Sequence, residues 1–315
     1  MGVIQSLASG FDLVTRHPDL MLLPILLDVF LWLGPRLSVY PLFRLYLDFV
    51  NSPEVIKQIG ATQVQQLDPF YKLVDEIGQG SNLFWWLSPP LLGIPSLAGW
   101  DPTLKLPTGQ PTVWIVSNVL AVFALSLVLG LIGLALLSVY WGLISSRVRA
   151  QAFSLGRVTS LWWGLFKIAI LWTIIGAVVG LPTALVATPI GLLNPVAGQC
   201  IVMMGGSLIL WAFFYMAFTV HGMALRDAPV IQSVRVSITL VRFQFLSAMG
   251  LIIVSVAIYF GTGLLWTIPA SDSWIKAAGI LGHAFTATGL LTATALFYMD
   301  RTKPVASPQG AAPGQ

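Results

Sequence analysis

Apolar residues in this chain come in long blocks separated by short polar connections. A hydrocarbon core roughly 30 Å thick takes about 20 apolar residues as helix. Six stretches reach that length: about 19–41, 112–144, 161–181, 197–222, 245–268 and 274–299. The second is longer than a crossing needs and is expected to tilt or project. The pattern predicts an all-α polytopic membrane protein with six transmembrane helices.

A second pattern has helical period. In VIQSVRVSITLVRF, residues 230–243, the apolar positions Val230, Val234, Ile238 and Val241, continued by Phe245, fall on one helix face. The chain opens with a similar phrase, VIQSLASGFDLVTR at 3–16, where Val3, Leu7, Phe11 and Val14 keep the same register and Pro18 follows. Such helices do not span. They are expected to lie on the cytoplasmic surface, apolar side down and basic side toward anionic lipid. A weaker version, RVRAQAFSLGRVTS at 147–160, also precedes a span. The three copies suggest a threefold internal repeat of two-span units, 1–144, 145–222 and 223–299, within one membrane domain, 1–299. A chance match between ordinary surface helices is the competing reading. Symmetry of this kind is familiar in transporters but not confined to them.

The outer side is elaborated. Residues 42–111 exceed an ordinary connection and contain amphipathic sequence, then NLFWWLSPPLLGIPSLAGW with Trp85, Trp86 and Trp100. Tryptophan favours the headgroup level. With the similarly apolar, proline-broken 182–196, this region fits either an outer cap in the interface or an apolar plug over the bundle. The tail, 300–315, is rich in Pro, Gly, Ala and Ser and is expected to be disordered and cytoplasmic.

Composition agrees with the membrane reading: 57% of residues are hydrophobic and 9% charged, against roughly 25% charged in soluble domains. With the first connection inside, cytoplasmic segments hold Arg16, Arg147, Arg149, Arg157, Arg226, Arg235, Arg242, Arg301 and Lys303. The outer ones hold Arg44, Lys57, Lys72, Lys105 and Lys276. This bias places both termini in the cytoplasm of a bacterium, with the chain in the inner membrane and the first seven arginines at the lipid interface. The first 18 residues contain no apolar h-region and no small-residue cleavage site, so no cleaved signal peptide is expected. The net charge of +4 reflects few charges; membrane lipids are the expected partners, and nucleic acid is not. Cys200 is the only cysteine, which excludes an intrachain disulfide and a multi-cysteine metal site; it reads as a packed thiol.

Ionisable groups at membrane depth are the sharpest pointers to chemistry, since each costs about 2.5–3.5 kcal/mol on translocon scales. Nine residues of helix separate Asp28 from Asp19 and His283 from Trp274, so each lies about 13–14 Å deep, from opposite faces. An Asp28–His283 pair would suit proton coupling or headgroup binding; two separate structural plugs would look the same in sequence. Pro24 predicts a kink near Asp28. Arg36, Lys167 and His221 lie near helix ends and are expected at the interface. Gly176 and Gly180 form a GxxxG, and Gly130 and Gly133 lie close together; both read as packing faces within the bundle. There is no Walker A loop, GxGxxG, HExxH, GxSxG or acidic metal cluster. No enzyme activity, cofactor or metal is therefore expected.

HGMALRDAPVIQSVRVSITLVRFQFLSAMGLIIV, from residue 221, resembles a loose group of uncharacterised bacterial six-span proteins that includes the membrane domain of some glycerophosphodiester phosphodiesterases. The resemblance covers mainly 221–268 and faintly 1–33. It implies a six-helix inner-membrane protein and assigns no functional residues. The long 42–111 loop departs from the group, and the chain carries no phosphodiesterase domain. Two functional classes fit: a transporter or handler of a lipid or other amphiphile, and a non-catalytic scaffold or assembly partner of a membrane complex.

Overall fold

The computed structural model describes residues 1–54, 57, 68–89, 93–100 and 105–302. Among the described residues, five helices are long and apolar enough to cross a membrane. They are α5 (Val119–Val148), α6 (Leu155–Leu193), α7 (Pro195–Met216) continued by α8 (Thr219–Arg226), α10 (Phe245–Thr267) and α11 (Lys276–Arg301). Each covers one of the predicted spans. Asparagines cap the N-terminal ends of two: Asn118 Oδ1 accepts from the N–H groups of Leu120 and Ala121, and Asn194 Oδ1 from those of Val196 and Ala197.

The first predicted span differs. Residues 19–41 do not form one helix. The chain runs through α1 (Val3–Arg16), a 3-10 turn (Pro18–Met21) and α2 (Leu22–Leu33), then enters a short strand β1 (Arg36–Ser38). At 12 residues, α2 is about 18 Å long and too short to cross alone. Pro24 sits in its first turn, where a missing N–H costs little; the break lies at 18–21, not at Asp28.

The predicted surface helix 3–16 is corrected in its surroundings. It packs along α11, antiparallel to it. Arg301 Nη2 donates to the Met1 carbonyl at 3.0 Å, and Phe11 meets Phe285 with ring centroids 5.5 Å apart. At Gly10 an added Cβ would stand 2.5 Å from the Ala293 nitrogen, so only glycine permits this approach. The later copy, α9 (Val230–Phe243), packs on α8 in a similar way, with Ser233 and Ser237 fully buried. Ser6 and Gly10 occupy the positions in α1 that Ser233 and Ser237 occupy in α9. The shared phrase therefore encodes a small-residue contact face. The third predicted copy has no helix of its own: α5 ends at Val148, 149–154 is non-helical, and 155–160 opens α6.

The proline-rich 182–193 is helical rather than broken. α6 continues through Pro182 and Pro189 for 39 residues, about 58 Å. It forms a hairpin with α7 in which Gly198 nests on Gly191, and Gly205 on Thr183. Cys200 lies exposed on that hairpin, not packed as expected.

β1 pairs in parallel with β2 (Val113–Ile115), closing the insertion between them. Within it α3 (Tyr40–Val50) packs on α4 (Asp68–Gln79). A 3-10 turn (Leu83–Leu87) lies against the middle of α5, where a Cβ on Gly133 would meet the Trp86 carbonyl at 2.5 Å. The following stretch turns inward: Ile94, Ser96, Leu97 and Ala98 are all buried. Residues 303–315 and the remainder of the insertion lie outside the described residues.

Candidate functional site

Non-helical backbone inside a membrane bundle must find hydrogen-bond partners within the protein. For the inward stretch 94–98 Asp28 is that partner. Its Oδ1 accepts from the Ser96 hydroxyl and, at 3.0 Å, from the Ala98 N–H; its Oδ2 accepts from the Leu97 N–H at 2.9 Å. Ser96 Oγ in turn accepts from the Gly99 N–H, and the Ser88 hydroxyl donates to the Ile94 carbonyl. Asp28 is wholly buried. The carboxylate is thus occupied by backbone.

His283 is brought to the same place. Its Nδ1 lies 4.0 Å from Asp28 Oδ2, beyond hydrogen-bond length, and its ring sits 5.3 Å from that of Tyr259. Lys276, buried at the start of α11, interacts electrostatically with Asp28; sequence reading had placed it in an outer connection. Among the described residues no three His, Cys, Asp or Glu side chains gather as metal ligands.

Arg147, Arg149 and Arg226 collect at the other end. Arg147 pairs with Asp19 and Arg149 with Asp227, each at 2.8 Å, while Arg226 donates to the Thr302 carbonyl. Arg16 pairs with Asp12 one turn earlier, Arg235 and Arg242 are exposed, and Arg157 is half-buried. Trp85 is half-buried and Trp86 44% exposed against Gly130 and Gly133. Trp100 ends the last 3-10 turn, and its side chain lies outside the described residues.

Between these two ends lies a cavity of about 280 Å³ that sequence reading did not foresee. Its walls are Trp141, Ile168, Trp172, Phe213 and Ile252, and Gly93 from the inward loop reaches it. The polar lining is His221, Thr294, Thr219 and Ser255. His221 is only 6% exposed, packed inside the bundle. Its Nε2 lies 2.9 Å from Thr294 Oγ1, and its ring packs against Trp141, Phe218 and Tyr298. The sequence signal for this site was weak, because its hydroxyls are single residues on three different helices. A second, more open chamber of about 240 Å³ shares Ser255, the partly exposed Val256, Leu291 and Thr294 and extends to Tyr259 and Pro95. Neither chamber is lined by Asp28 or His283.

The helices, their apolar surfaces and a buried loop satisfied from within define an all-α polytopic membrane protein. No family model matches the chain, nor does any curated protein or solved structure.

Proposed function

We propose that this protein holds a lipid or other amphiphile inside its bundle in a bacterial inner membrane and performs no catalytic step. The cavity lined by His221, Thr294, Thr219 and Ser255 carries the reading: a concave, mainly apolar space with a few convergent polar groups has the form of a ligand site. The occupied carboxylate of Asp28 moves the binding role away from the Asp28–His283 pair and makes that pair a support for the loop above the cavity. In this reading the broken run 3–33 makes a sixth crossing antiparallel to α11. Both termini are cytoplasmic, beside the arginine-rich end. Units 1–144 and 223–299 are related through α1 and α9, and the resemblance of 221–268 to six-span proteins fits this layout. Lipid extraction and mass spectrometry of protein purified in mild detergent test it. A stoichiometric amphiphile is expected with the native chain and not with Ser255→Phe, which fills the space. Equal lipid content in both proteins rejects the reading.

A second reading, a scaffold for other membrane subunits, is favoured by Gly176 and Gly180. An added Cβ at either meets nothing within 4 Å, so no described residue packs against this GxxxG. Co-purification of a membrane protein that is lost in Gly180→Leu, with lipid content unchanged, supports the scaffold instead.

A further inference from the structure

The polar lining of the cavity has a definite chemical character. None of its described lining residues is Asp, Glu, Lys or Arg, and the same holds for the adjoining chamber. His221 is surrounded by aromatic rings, and no ion pair joins it to a carboxylate among the described residues. Thr219 is 1% exposed, and its Oγ1 finds no hydrogen-bond partner among the described residues; Ser255 Oγ, on the wall shared by the two chambers, is likewise buried and unpartnered among them. Hydroxyls left unsatisfied in a membrane bundle are costly, and a ligand group that bonds to them removes that cost. A charged headgroup would lose its water here and gain no fixed counter-charge.

Resting on the amphiphile reading above, we propose that the ligand is uncharged: an apolar chain or ring ending in a hydroxyl or carbonyl. Its polar group sits among Thr219, His221, Ser255 and Thr294, where it can both donate and accept. Its apolar body lies between Trp141, Trp172 and Phe213 and continues past Ser255 toward Tyr259, beneath the loop at Gly93 and Pro95. Trp172 and Phe213, with ring centroids 6.1 Å apart, form one aromatic wall.

The test uses the full chain in liposomes and two photoactivatable, alkyne-tagged probes of equal chain length, a decanol and a decanoate at alkaline pH. Crosslinks are mapped by peptide mass spectrometry. The alcohol is expected to label 213–221 and 252–256 saturably, and to outcompete the acid by roughly tenfold or more. Ser255→Ala, which removes one hydroxyl and little volume, is expected to weaken alcohol labelling roughly three- to tenfold. Thr294→Val serves as a second variant should Ser255→Ala fold poorly. Equal saturable labelling by acid and alcohol overturns the uncharged-ligand inference and leaves the amphiphile reading standing. Absence of saturable labelling at these segments by either probe overturns both.

Discussion

Asp28 illustrates how a buried carboxylate can be structural although its position suggests transport. Three donors from one short loop converge on its two oxygens. Asp28→Ala would leave the Leu97 and Ala98 N–H groups buried without acceptors, at roughly 1–3 kcal/mol each. A loss of about 2–5 kcal/mol is expected, read as a lower thermal unfolding midpoint in detergent. Asp28→Asn keeps one acceptor oxygen and should fall between Ala and the native residue. A carboxylate serving as a proton relay would give the opposite result, with Asn harmless to stability and damaging only to activity. His283→Ala, which breaks no hydrogen bond to Asp28 at 4.0 Å, should act mainly through the void it leaves beside Tyr259.

Helix packing depends on residues that hydropathy treats as neutral. Gly10 lies against Ala293 with no room for a side chain, whereas Gly176 has open space. Gly10→Val is therefore expected to force α1 off α11 and cost at least about 1–3 kcal/mol. Gly176→Val should stay within about 1 kcal/mol of neutral, since valine favours helix over glycine. Parallel thermal melts of the two variants check both values. This contrast also shows what the sequence could carry. The five long helices were legible because a block of some 20 apolar residues has few alternatives. Counting residues inward from Asp19 and Trp274 brought Asp28 and His283 to similar depth but left open whether they meet; the break at 18–21 shows that the first of those counts did not run along one helix. The burial of α1 did not follow, because Ser6 and Gly10 look like the polar side of an amphipathic helix when only large apolar residues are counted. The enclosure of His221 was not legible for a related reason: Trp141 and Tyr298, which pack on it, come from elements far away in sequence. The inward loop 94–98 lies in the apolar stretch that fits either a cap or a plug over the bundle, and five residues of sequence do not decide between them.

At the scale of the molecule, the arrangement has two unlike ends. One gathers Arg147, Arg149 and Arg226 with Asp19, Asp227 and Thr302. The other holds the β1–β2 pair and Trp32, whose indole N–H lies 2.8 Å from the Ser271 carbonyl. If the arginine end faces the cytoplasm, as the charge bias requires, every connection has a fixed side. Gln151, between α5 and α6, is then internal, and Asp272, between α10 and α11, external; both are exposed to labelling. With Cys200→Ser as background, Gln151→Cys is expected to react with a membrane-impermeant maleimide only after the cells are permeabilised, and Asp272→Cys in intact cells. The reverse pattern would invert the protein. Labelling of both in intact cells would mean that α6, α7 and α10 do not cross as an odd set. The broken run 3–33 adds its own requirement: if it completes the sixth crossing, Gly2→Cys must behave like Gln151→Cys. Reaction of Gly2→Cys in intact cells would leave five crossings and put α1 on the outer side, which its lengthwise packing against the arginine-bearing end of α11 argues against.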